Sequence, residues 1–67
     1  MTILKLIDEV EVQGKVNIRL WNDGMDDYSE EIEIEDFEFE KHKVSDKILN
    51  RKIKYMFCVN NILIIEV

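Results

Sequence analysis

Apolar residues at Ile3, Leu4, Leu6, Ile7 and Val10 recur at helical spacing. The pattern predicts a short helix over residues 3–8 with Thr2 as its N-cap. The Ile and Val content keeps an edge strand as the competing reading. After Gly14 the period changes to two. Val16, Ile18 and Leu20 alternate with Asn17, Arg19 and Trp21, which predicts a strand over residues 15–21 with one apolar face. Asn22-Asp23-Gly24 signals a turn, with a loop running to about Asp27. A second strand follows over residues 28–35, where Ile32 and Ile34 alternate with Glu31, Glu33 and Glu35. The phase then slips, because Phe37 and Phe39 fall at odd positions. One flat strand cannot turn all four apolar residues inward. Either a bulge near Glu35 and Asp36 resets the phase, or the strand ends there and residues 36–40 wrap across the sheet edge.

Lys41-His42-Lys43 reverses the charge abruptly. Residues 44–50 read as a short helix. Ser45 suits its cap and Asp46 the positive end of its dipole, while Val44, Ile48 and Leu49 face the core. Residues 52–59 and 62–67 form the third and fourth strands. Asn60-Asn61 joins them as a two-residue turn, since Asn tolerates positive φ. That turn sets a register with Val59 opposite Ile62, Phe57 opposite Ile64 and Tyr55 opposite Glu66. On the other face Cys58 meets Leu63, Met56 meets Ile65 and Lys54 meets Val67. Both faces are largely apolar, which places this hairpin at the sheet centre or under cover on both sides. The expected fold class is α+β: a single four-stranded antiparallel sheet with a short N-terminal helix and a short helix before the C-terminal β-hairpin. Residues 1–67 then form one small α+β domain.

Charge changes the picture more than composition does. Residues 20–40 hold ten carboxylates and no Lys or Arg; the remaining residues hold five acids and nine bases, so −10 and +4 give the net −6. A run of this kind is commonly a solvated face, and its sharper reading is a surface for a basic partner. The basic set Lys41, Lys43, Lys47, Arg51, Lys52 and Lys54 either neutralises the acids within the fold or forms a nucleic-acid footprint. The second reading lacks interleaved exposed aromatics. A chain of this length buries only about 60% of its unfolded surface, and a single cysteine allows no internal disulfide. A core rich in Ile, Leu, Val and Phe must then suffice, or a partner must help, so a dimer or a complex is reasonable on stability grounds. MTILKLIDEV lacks the basic region of a secretory signal, and ILII is too short to cross a bilayer. Lone Cys58 fits a reducing compartment. The expectation is a cytoplasmic protein with no membrane association.

Candidate chemistry is sparse. His42, the sole histidine, sits among lysines with no orienting acid beside it, and a general base must be held against its substrate. Cys58 reads as a small core residue, because a reactive thiol needs a partly exposed electropositive site. No Gly-rich phosphate loop or nucleophile triad spacing occurs, and no cofactor motif is present. Asp23, Asp26 and Asp27 around Gly24 offer oxygen ligands for a weak Ca²⁺ or Mg²⁺ site, but their spacing fails the EF-hand pattern. The expectation is therefore a protein that is not an enzyme, with catalytic residues none and metal ligands none. Trp21, on the polar face of its strand, either anchors a partner or packs over the second helix or a neighbouring strand, since Trp is usually well buried.

The acidic strand is what remains. Strand residues two apart are separated by ~6.6–6.8 Å, so Glu31, Glu33 and Glu35 predict a straight row of charge. One strand of duplex DNA carries a phosphate every ~3.4 Å, so the row has about half that density, with flanking acids such as Asp36 and Glu38 to fill it. Such an array can occupy a Lys/Arg-lined channel built for nucleic acid, while like charges keep this face from binding nucleic acid directly. The arrangement of Val16-Asn17-Ile18-Arg19-Leu20, of Asp46-Lys47-Ile48-Leu49-Asn50-Arg51-Lys52-Ile53 and of Val59-Asn60-Asn61-Ile62-Leu63-Ile64-Ile65-Glu66-Val67 resembles that of small proteins from phages, prophages and other mobile elements of Gram-positive bacteria. The resemblance implies a phage-like origin and no catalytic residues. The dense acidic strand departs from its general pattern. Two functions are expected to compete. One is an inhibitor of a nucleic-acid-handling host defence protein, anti-CRISPR-like, acting by charge mimicry on a host protein with a basic surface. It would use Glu31, Glu33, Glu35, Asp36, Glu38 and Trp21. The other is an assembly module forming a homodimer through its sheet.

Overall fold

The computed structural model describes residues 1–67. Helix α1 spans Ile3–Glu9, strand β1 Val16–Asn22 and strand β2 Asp27–Ile34. Helix α2, Phe37–Glu40, runs into a 3₁₀ turn over Lys41–Lys43, and helix α3 covers Asp46–Leu49. Strands β3, Tyr55–Val59, and β4, Ile62–Glu66, close the chain. The Thr2 hydroxyl accepts from the Lys5 N–H at the start of α1, and the Ser45 hydroxyl accepts from the Ile48 N–H at the start of α3. Both caps satisfy amide donors that a helix start leaves without partners. No helix is long and apolar enough to cross a membrane.

The sheet order is β2-β1-β4-β3, and it is mixed. β1 pairs antiparallel with β2, β4 pairs antiparallel with β3, but β1 and β4 run parallel. This corrects the all-antiparallel expectation. The chain leaves β2 at one edge, passes under the sheet through α2 and α3, and starts β3 at the opposite edge. The hairpin then returns β4 to the centre beside β1, in the same direction. Backbone bonds from Leu63 N–H to Lys15 O (3.0 Å) and from Trp21 N–H to Val67 O (2.8 Å) prolong this central seam.

All the helices lie on one face. Ile3, Leu6, Phe37, Val44 and Leu49 join Val16, Ile18, Leu20, Ile34, Ile65 and Val67 in one buried cluster. By strand alternation the opposite face carries Asn17, Arg19, Trp21, Glu31, Glu33, Ile62, Ile64, Glu66, Tyr55, Phe57 and Val59, and no element of the fold covers it. Ile64 is nevertheless buried there, sitting in register between Asn17 and Phe57.

The phase slip resolves by termination. β2 ends at Ile34, and Asp36 begins a helical turn that buries Phe37 (1% exposed) and leaves Phe39 in solvent (69%). The Phe37 N–H donates to Gly14 O at 2.9 Å, and Gly14 holds φ +84°, a conformation L side chains rarely adopt. The bulge that does exist lies elsewhere. Leu20 pairs with Glu30 and Trp21 with Tyr28, so Ser29 is the extra residue. It moves Tyr28 from the helix-covered face to the open one, the re-aiming for which bulges are used.

The C-terminal hairpin has the register set by its turn, from Val59–Ile62 to Tyr55–Glu66, with Asn60 and Asn61 at φ 51° and 64°. Lys54 does not pair with Val67. Its N–H donates instead to Glu66 O at 2.7 Å. Strand β3 is also shorter than the 52–59 expected, Lys52 forming only an isolated bridge with Thr2. Only β4 is central. β3 is an edge strand whose residues are all exposed, which corrects both the central placement of the hairpin and the core assignment of Cys58. The short helices do not reach far enough to cover it.

Candidate functional site

The residues proposed for the acidic surface start on β2 and continue past its end into α2. Glu31 and Glu33 point to the open face of that edge strand, opposite Arg19 and Asn17 of β1. Glu35 has left the strand, Asp36 stands before α2, and Glu38 lies within it. The row is thus two residues long within regular strand, and its continuation bends into the helical turn.

These acids divide by what they touch. Glu31 Oε1 accepts from Arg19 Nε at 3.0 Å and from Asn17 Nδ2 at 3.4 Å. Glu35 meets Lys15 at 3.6 Å, Glu40 meets Lys43 at 3.7 Å and Asp23 meets Lys54 at 3.1 Å. No ion pair joins Asp26, Asp27, Glu30, Glu33, Asp36 or Glu38 to a base. Asp26, Asp27, Glu30 and Glu33 are moreover exposed. They line the free edge of the sheet and the loop at its end. The basic residues therefore balance part of the run and leave the outer edge negative.

Glu38 behaves differently from the rest. It is half-buried near Glu11 where α1 ends, in a groove that also includes Asp8, Glu9, Phe37 and Lys41. Burial first, then a hydrogen bond and charge repulsion from Glu11, push its carboxyl above the ordinary value. An acid held this way is poorly suited to charge recognition.

Trp21 packs rather than projecting. Its ring meets Tyr28 edge-to-face with centroids 5.0 Å apart, and Lys54 Nζ sits 5.7 Å from its ring centre. Beside it lies a polar node that the residue pattern did not predict. Arg19, central on the open face, stands between Glu31 of β2 and Glu66 of β4 in register. Its Nη1 reaches Glu66 at 3.5 Å, and its guanidinium lies 5.6 Å from the Tyr28 ring centre. The Tyr28 O–H donates to the same Glu66 carboxylate. Glu66 is only 6% exposed, and no buried side-chain polar atom in the protein lacks a partner. A carboxylate can be buried here because a cation and a hydroxyl meet it.

The node shifts the proton affinity of two of its members, Arg19 and Tyr28. The hydrogen bond from Arg19 to Glu31 raises the guanidinium above its usual value; burial opposes this, and the charges of Glu31 and Glu66 add to the rise. The hydrogen bond to Glu66, then burial and the Glu66 charge, raise the Tyr28 phenol. Arg19 in β1 and Glu66 in β4 stand out as lone charges in apolar strands, but their pairing depends on the parallel seam between those strands. Finding Tyr28 required the bulge at Ser29.

His42 lies exposed in the 3₁₀ turn and Cys58 exposed on β3. No group of three or more His, Cys, Asp or Glu side chains is arranged to hold a metal ion, the Asp23, Asp26 and Asp27 loop included. No family model matches the chain, and no curated protein or solved structure matches it.

Proposed function

We propose that this is a small non-catalytic binding protein that presents the acidic edge of its sheet to a basic protein surface and occupies a site built for nucleic acid. The observation that carries the reading is the set of exposed carboxylates without ion pairs, Asp26, Asp27, Glu30 and Glu33, along β2 and its loop. The strand beneath them is rigidly paired to β1 from Asn22–Asp27 to Val16–Ile34. Fixing charge on a paired strand lowers the ordering cost of binding, and the clustered field steers a cationic partner. An inhibitor of a nucleic-acid-handling defence protein, carried by a mobile element and acting in the cytoplasm, is the specific form this function takes.

The contacts also refine which residues carry it. Glu31 is committed to Arg19, so its loss disturbs the node on the open face as well as any partner contact. Glu33 is the member of the strand row free for recognition. Trp21 and Glu38 drop to supporting roles, one packed on Tyr28 and the other against α1. The test is affinity capture from an extract of Gram-positive bacteria with the chain immobilised. The combined variant Asp26→Asn, Asp27→Asn, Glu30→Gln, Glu33→Gln should lose a captured nucleic-acid-binding protein that Asp8→Asn, Glu9→Gln retains. Duplex DNA should displace that protein from the wild-type chain. Capture unaffected by the fourfold variant contradicts the proposal.

A further inference from the structure

We infer that β3 is an interface to a second copy of this chain, paired antiparallel about Phe57 so that two sheets join into one. The inference rests on the strand itself and stands apart from the acidic edge. All of Tyr55–Val59 is exposed, with Tyr55 at 67%, Met56 at 47%, Phe57 at 40% and Val59 at 45%. An uncharged, apolar edge strand is a template for another strand, and proteins that stay monomeric blunt such edges with charge, proline or bulges. β3 has none of these between Tyr55 and Val59. The opposite edge, β2, is blunted by Asp27, Glu30, Glu31 and Glu33.

Backbone parity fixes the register. The two-residue turn makes Val59 and Ile62 a hydrogen-bonded pair, so Val59, Phe57 and Tyr55 turn their N–H and C=O groups toward β4. Met56 and Cys58 turn theirs outward. A two-fold axis beside Phe57 sets Met56 against the second copy's Cys58, a hydrogen-bonded pair on both sides of the axis. Phe57 then meets its own copy in a close, non-hydrogen-bonded pair, and Tyr55 meets Val59. This register overlaps the whole strand. It places Lys54 opposite Asn60, so no like charges meet.

A second copy fits better than the other edge of a neighbouring molecule. Pairing β3 with β2 head to tail would lay apolar side chains against Glu30, Glu31 and Glu33 and strip water from them. The chain also has reason to gain from pairing, since only 13 of 67 residues are buried. One short strand per copy buries less than the ~1,200–2,000 Å² of a stable complex, so weak association, with dissociation in the micromolar to millimolar range, is expected.

Sedimentation equilibrium and amide exchange test this together. The chain should pass from monomer to dimer between about 1 µM and about 1 mM, as mass action requires. Over that range exchange at Met56 and Cys58 should slow by at least about tenfold, while Phe57, bonded to β4 in either state, changes little. Cys58→Pro removes an outward N–H at an edge position that tolerates proline. It should give a folded monomer, its dissociation constant raised at least about tenfold. If that variant does not fold, the exchange pattern of the wild-type chain decides alone. A chain that remains monomeric at the highest concentration, a dimer whose Met56 and Cys58 amides stay unprotected, or one that survives Cys58→Pro through its open faces overturns the inference. So does ready oxidation to a disulfide between the two Cys58 residues, because the Phe57-centred register holds their Cα atoms beyond the ~7 Å limit.

Discussion

Phe37 and Phe39 stand two positions apart, as neighbours on one face of a strand would, and meet opposite fates. The helical turn that starts after Asp36 rotates Phe37 into the core and Phe39 out of it. Phe37→Ala should cost about 3–5 kcal/mol. A chain of this size has roughly 3–10 kcal/mol in total at ordinary stability per residue, so urea denaturation should show that variant with at least about a third of its stability lost and a midpoint lowered to match. Phe39→Ser should stay within about 0.5 kcal/mol of the parent. The same scale holds a pH effect. Glu38 binds its proton more readily folded than unfolded, because burial and Glu11 raise it above the ordinary 4.5. Its contribution is therefore complete below that ordinary value and lost as pH rises through the raised one. Glu38→Gln, which keeps the shape and removes the charge, should raise the melting temperature by a few degrees at pH 7 and leave it little changed at pH 4. Equal shifts at the two pH values would contradict the cause assigned here.

The elements show how much of the fold the sequence made legible. The helix at Ile3–Glu9, the strand at Val16–Asn22 and the turn and register of the closing hairpin follow from local periodicity and turn residues, although β3 begins at Tyr55 rather than Lys52. The parallel seam between β1 and β4 was not legible, because nothing within either strand states which distant strand lies beside it. The exposure of β3 was hidden for the same reason. An apolar strand at an edge and one at a centre carry the same pattern, and only the sheet order separates them. The phase slip near Glu35 allows a bulge or a strand end there, and it is the strand that ends; the bulge at Ser29 leaves no mark in the apolar pattern. Its actual effect falls on Tyr28, a residue whose amphipathic character suits either face. Of the candidate surface, the acids were plain from their number. Which of them are neutralised was not, since Glu31–Arg19 depends on strand register and Asp23–Lys54 joins residues far apart in the chain. The Asn60-Asn61 turn provides a check at this scale. Both residues hold positive φ, and Asn61→Gly should stabilise the hairpin by a few tenths of a kcal/mol in thermal denaturation, since Asn-Gly is the preferred pair for such turns.

Taken whole, the molecule is a sheet with helices behind it and two unlike edges. β2 is acidic and resists pairing with another strand; β3 is apolar and open to it. The two assignments are compatible, because joining two copies through β3 leaves both β2 edges outermost. Such a dimer would present two acidic edges, and a partner with repeated basic sites would bind it with avidity. The acidic edge remains the central claim, and the dependence of binding on salt reads it most directly. For the captured partner, the logarithm of affinity should fall steeply with the logarithm of salt concentration, as when counterions are released from opposed charged surfaces. The variant Asp26→Asn, Asp27→Asn, Glu30→Gln, Glu33→Gln should bind more weakly at low salt and show a flatter slope. A slope near zero for the wild-type chain, or one that the variant reproduces unchanged, would contradict recognition through these carboxylates.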